Sequence, residues 1–116
     1  CSFVLLITGF FQSQVYAQCT GGTNAGTLAA FTNAWQTEPN VDPGEYFVFT
    51  AQRGVRYEFS FCQGGGSAPY DAMLNILDNA GVGMNIKNNN FCGDDPHLEF
   101  VPTADGTYRV LVNRYY

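Results

Sequence analysis

Charge is scarce in this 116-residue chain: five Lys or Arg and ten Asp or Glu leave it only 13 % charged, with a net charge of −5. The basic residues Arg53, Arg56, Lys87, Arg109 and Arg114 are scattered. A nucleic-acid partner needs a basic stripe to meet phosphate, so that class is excluded. Long apolar runs are missing too. None approaches the roughly 18 to 20 residues that cross a bilayer, so no membrane span is expected. Histidine occurs once, at His97, where a surface or edge position is expected, and serine is sparse. Neither the HExxH motif nor a nucleophile elbow is present. Asp94 and Asp95 are adjacent, so in a strand they would point to opposite faces rather than flank one bond. The chain is therefore read as a non-enzyme.

Close cysteine pairs, the CxxC spacing that zinc sites use, are also absent. Cys1, Cys19, Cys62 and Cys92 are separated by 18, 43 and 30 positions. An even count in a small, Lys-poor chain with a leader-like start reads as disulfides formed in an oxidising compartment, and hence as a secreted, extracellular or cell-surface protein. Three pairings are open. Cys62 with Cys92 is favoured because both lie inside the folded domain, which leaves Cys1 and Cys19 to pair within the chain or between subunits.

What the sequence has in quantity is glycine, asparagine, threonine and aromatics. Thirteen Gly, seven Tyr and ten Phe are the vocabulary of strands and tight turns rather than helices. "EYFVFT" (45–50) follows the turn "VDPGE". "VRYEFSFC" (55–62) alternates, with Val55, Tyr57, Phe59 and Phe61 on one face and Arg56, Glu58 and Ser60 on the other. The short "AQRG" between them predicts a hairpin. Further strands are expected at 27–31, 72–77, 83–87, 97–101 and 107–116, the last with Tyr108, Val110 and Val112 opposite Arg109, Leu111 and Asn113. About seven to eight strands at regular spacing, with no helical period, predict an all-β fold, an antiparallel β-sandwich of the jelly-roll or Ig-like kind. Residues 19–116 form this single domain.

Residues 1–18 form a separate, leader-like apolar segment. Phe3, Val4, Leu5, Leu6, Ile7, Phe10 and Phe11 precede Val15-Tyr16-Ala17, a plausible signal-peptidase site that would leave Gln18 first. If the segment is instead retained, its large apolar residues each gain roughly 1.5–3 kcal/mol on burial. A sandwich that already fills its interior with its own aromatics has little room for them. Another subunit must then supply the cover, as in strand addition between fibre subunits. Retention as an N-terminal donor strand is the expectation taken forward, with the chain as a homo-oligomer polymerising into a fibre.

From Trp35 to Tyr116 the chain resembles the bacterial pre-peptidase C-terminal domain, a small β-sandwich appended to secreted proteins. The carriers are "GEYFVFTAQRGVRYEFSFC", "YDAMLNILDNAG", "NNNFCGDDPHLEF" and "TADGTYRVLV". Tyr70-Asp71, Asp78 to Gly81, Asn88 to Asp95 and Asp105 to Val112 match the order of that family's motifs. Cys62 and Cys92 stand where its disulfide-bearing members place a pair. The resemblance implies a secreted accessory module that binds carbohydrate or helps to target an exoenzyme, the alternative to the fibre subunit.

Two ligand classes follow. Asp71, Asp78, Asn88, Asn90, Asp94 and Asp95, with Asn89, supply the hard oxygens calcium prefers, in loops where such ligands converge. The same residue types build turns through their own side chains, which needs no ion. For carbohydrate, Trp35, Tyr70, Tyr115 and Tyr116 are the candidate exposed aromatics, although the single Trp is expected to be packed.

Overall fold

A computed structural model of the protein describes residues 22–115. Cys1, Cys19, Tyr116 and the apolar segment Phe3, Val4, Leu5, Leu6, Ile7, Phe10 and Phe11 lie outside the described residues. The fold is all-β, with no helix among the described residues. Its seven strands are β1 (Thr23–Thr27), β2 (Glu45–Ala51), β3 (Tyr57–Ser60), β4 (Ala72–Asp78), β5 (Gly83–Asn88), β6 (His97–Phe100) and β7 (Gly106–Arg114). They form a five-stranded sheet of order β1-β2-β7-β4-β5 and a two-stranded sheet of β3 and β6.

Alternation set the faces as the sequence predicts. Phe49 and Ala51 on β2, Leu74 and Ile76 on β4, and Tyr108, Val110 and Val112 on β7 point to one side of the larger sheet. They meet Tyr57, Leu98 and Phe100 of the smaller one in a single core. Aromatic rings tie the sheets together: Phe49 stands 5.0 Å from Phe59 and 6.1 Å edge-on to Phe100. Such offset and edge-on pairs add roughly 0.5–1.5 kcal/mol each beyond burial.

Partners and ends differ from the sequence reading in three ways. First, β2 and β3 are not a hairpin. β2 pairs with β7 and β1, whereas β3 pairs with β6 in the other sheet. The connection at 52–54 is tied to the loop before β7 instead: Arg53 N–H donates to Asp105 (2.7 Å), and Gly54 N–H to Pro102 O (3.0 Å). Second, the larger sheet is mixed, because β1 runs parallel to β2. Parallel neighbours need a crossover, and residues 28–44 supply it while delivering Phe31 onto Phe49, Tyr57 and Phe59. The first strand therefore lies at Thr23–Thr27 rather than 27–31. Third, Val55 precedes β3 and is exposed rather than facing the core. Leu111 takes the opposite face of β7, as alternation places it, and is buried there, as is Leu77.

β4 and β5 form an antiparallel hairpin across "DNAG". Asp78 Oδ1 accepts from the N–H groups of Ala80 and Val82, both at 2.9 Å. Gly81 N–H donates to Asp78 O, and Gly81 has a φ of +86°. That left-handed conformation is the one glycine adopts at least cost.

Candidate functional site

Two features of the smaller sheet carry chemistry. The first lies on its outward face. β3 and β6 pair antiparallel with Glu58 directly opposite Glu99 and Ser60 opposite His97. Like charges in direct register repel, so the pair needs a cation. Arg56 lies against one oxygen of each carboxylate, 3.5 Å from Glu58 Oε2 and 3.8 Å from Glu99 Oε1. The other two oxygens face His97: its Nε2 is 3.2 Å from Glu58 Oε1 and 3.9 Å from Glu99 Oε2. Among the described residues, Glu58, His97 and Glu99 form the group of His, Cys, Asp or Glu close enough to hold a metal ion, with their ligand atoms all within 4.8 Å of one another.

His97, expected at a surface or edge position, does stand on β6, a strand with one paired side among the described residues, but it is not at the surface: it is 5 % exposed. Phe91 covers it at a ring separation of 4.8 Å, and Trp35 stands edge-on at 6.3 Å. Nδ1 is buried without a hydrogen-bond partner, so packing against these two rings, rather than a bond through Nδ1, holds the imidazole. Trp35 is half exposed, against the expectation that it would be packed. Its ring lies against Gly64, where an added Cβ would overlap the indole and where φ is +63°.

The Cys62–Cys92 disulfide (Cα–Cα 6.2 Å), the favoured pairing, joins the loop after β3, whose Gly64 lies against the Trp35 ring, to the loop that carries Phe91. Asn88 organises the second loop. Its Oδ1 accepts from the backbone N–H groups of Asn90 (3.2 Å), Phe91 (3.1 Å) and His97 (3.2 Å). Cys92 and Asp95 then close a small bridge.

The other oxygen donors singled out in the sequence are dispersed. Asp78 caps its turn, as described, and Asp94 is exposed. Asp71 has a buried Oδ1 with no partner, while its backbone carbonyl accepts from Tyr115 N–H at 2.8 Å. No three of Asp71, Asp78, Asp94 and Asp95 form a close group among the described residues. Tyr70 is partly buried; its hydroxyl donates to Val41 O at 3.0 Å, with the Arg114 guanidinium 5.3 Å above the ring. Burial, then the negative charges of Asp42 and Glu45, push this hydroxyl above the usual tyrosine range, against a smaller opposing effect of Arg114. Tyr115 is half exposed. Glu58, His97 and Glu99 were missed by sequence reasoning. The signal was the pair "YEFS" and "HLEF", which places the three on one face only once β3 is known to pair with β6.

The second feature is an open groove of about 970 Å³. One wall is the run 55–61, containing β3; the opposite wall is the crossover around Leu28 to Trp35; Phe47, Leu74, Val110 and Val112 line its floor. Among the described residues β3 pairs with β6 alone, so its other edge lies on this groove unpaired.

No family model matches the chain, and neither a curated protein nor a solved structure matches it significantly. No helix among the described residues is long and apolar enough to cross a membrane.

Proposed function

We propose that the protein is a non-catalytic structural subunit of an extracellular fibre. Its two sheets make an incomplete β-sandwich, and the apolar segment Phe3–Phe11 of one copy completes the sandwich of the next. The observation that carries this reading is the groove beside β3, where an apolar floor and an unpaired strand edge occur together. An exposed edge invites strand addition, in which backbone hydrogen bonds give affinity and alternate side chains enter the core. Nine extended residues reach about 30 Å, and the seven residues of the 55–61 wall about 23 Å. The segment is therefore long enough to pair along the whole wall, with Phe3, Leu5 and Ile7 facing the floor. The Cys62–Cys92 disulfide fits an oxidising compartment and secretion.

The test uses the chain lacking residues 1–17 and a synthetic peptide of residues 1–17. The peptide is expected to bind the truncated chain one to one and to raise its Tm. An unchanged Tm at saturating peptide contradicts the reading.

A second reading keeps the chain as a monomeric pre-peptidase C-terminal-like module that binds carbohydrate. Trp35 and Phe91, half exposed on either side of His97, favour it. For Asp71, Asp78, Asn88, Asn90, Asp94 and Asp95, the turn role is favoured over calcium, because the Asp78 and Asn88 oxygens already accept backbone N–H groups.

A further inference from the structure

We infer that Glu58, His97 and Glu99 bind a first-row divalent cation of the zinc class on the outward face of the smaller sheet. The inference stands apart from the fibre reading, since it needs neither the N-terminal segment nor strand addition, although Arg56 and Glu58 belong to the 55–61 wall of the groove. Three observations converge on it.

The first is the donor set. One imidazole nitrogen and two carboxylate oxygens suit zinc and its first-row neighbours. Calcium takes six to eight oxygens and gains little from a nitrogen. The second is geometry. Nε2 lies 3.2 and 3.9 Å from the two facing oxygens. Three donors around zinc at about 2.0–2.2 Å stand roughly 3.3–3.5 Å apart in a tetrahedron; the three atoms here lie within 4.8 Å of one another, so the exposed carboxylates must swing inward to close on an ion. The Glu58 and Glu99 side chains are 32 % and 51 % exposed while that of His97 is 3 % exposed, so an ion reaches the site from the carboxylate side. The third is charge. Arg56 holds the outer oxygen of each carboxylate and leaves the inner pair turned to His97. Two carboxylates and one guanidinium leave a net negative charge beside the imidazole, which a divalent ion reverses. Arg56 thus acts as a positioning residue, the supporting partner that ligating carboxylates commonly have.

Trp35 makes the site observable, since it is the chain's single tryptophan and its ring lies 6.3 Å from that of His97. A paramagnetic ion bound at Nε2 quenches its fluorescence at short range. Full-length protein is titrated with Co²⁺ while Trp35 emission and the visible absorption of cobalt are followed, and with Zn²⁺ by calorimetry. Saturable quenching at one equivalent, displaced by Zn²⁺ and not by excess Ca²⁺, is expected. His97→Ala opens a buried cavity and can unfold the sheet, so the variants are Glu99→Gln and the double Glu58→Gln/Glu99→Gln. Loss of a supporting partner alone costs about 10–100-fold in metal affinity, so loss of both carboxylate ligands is expected to weaken binding by about 100-fold or more. Metal-free near-UV circular dichroism should be unchanged. Asp94→Asn is expected to bind as the parent does. Absence of saturable Co²⁺ and Zn²⁺ binding by the parent overturns the inference, as does full affinity in the double variant. Displacement of Co²⁺ by Ca²⁺ overturns its assignment to the zinc class.

Discussion

Replacing Asn88 by alanine removes the one oxygen that accepts from the backbone of Asn90, Phe91 and His97. The first two donors can turn to water. The His97 N–H is enclosed and is left unsatisfied, so a loss of about 1–3 kcal/mol is expected. Asn88→Asp keeps the acceptor and should lose less; urea unfolding of the two variants checks the order. Tyr70 gives a second residue-scale test. Its hydroxyl has a raised pKa in the folded state, chiefly through burial. The folded protein therefore holds this proton at a pH where the unfolded chain releases it. The contribution is complete below the ordinary tyrosine value of about 10 and fades as pH rises through the folded value. Tyr70→Phe should flatten the fall in stability above about pH 10, while losing the bond to Val41 at every pH. A variant that falls as steeply as the parent at alkaline pH contradicts this assignment. At this scale the sequence showed which residues carry oxygen donors but not where those oxygens go. Asn88 reads equally well as an ion ligand or a loop organiser until the N–H groups around it are located.

Among the elements, the disulfide has a measurable role. It joins Cys62, just past β3, to Cys92, just before β6, across 30 positions. Chain-entropy estimates for a loop of that size give roughly 3–4 kcal/mol. Cys62→Ser with Cys92→Ser is expected to lose about that much in denaturant unfolding. A loss under about 1 kcal/mol would show that the unfolded chain already holds the two loops together. Strand existence and facing were legible: Tyr57, Phe59, Leu98 and Phe100 reach the core as alternation requires. Pairing was not. Period-two alternation states which side of a sheet a residue takes, and it is satisfied equally by a hairpin or by a crossing to the opposite sheet. The short connection between β2 and β3 looked like a hairpin loop, but its Arg53 and Gly54 N–H groups donate to Asp105 and Pro102, more than forty positions away. The same ignorance of pairing hid the candidate metal centre. Glu58 and Glu99 face each other only because β3 chooses β6, and His97 is buried beside Phe91 of the disulfide-linked loop and Trp35 of the 28–44 crossover.

At the scale of the whole molecule, five strands face two. Beside β3 the crossover 28–44, through Phe31, takes the place of a further strand over the larger sheet, and between them runs the groove, whose floor residues Leu74, Val110 and Val112 are at most 4 % exposed. The all-β class was legible from composition and turn spacing. The imbalance was not, because it depends on which sheet each strand joins. Such an imbalance makes a completing strand from another copy physically reasonable, and the apolar run Phe3–Phe11 has the composition to be one. Negative-stain microscopy of the full chain beside the chain lacking residues 1–17, both at the same concentration and without reductant, tests this most directly. Filaments from the full chain and monodisperse particles from the truncated one are expected. Monodisperse particles from the full chain, or filaments from the truncated one, would contradict assembly by N-terminal strand exchange.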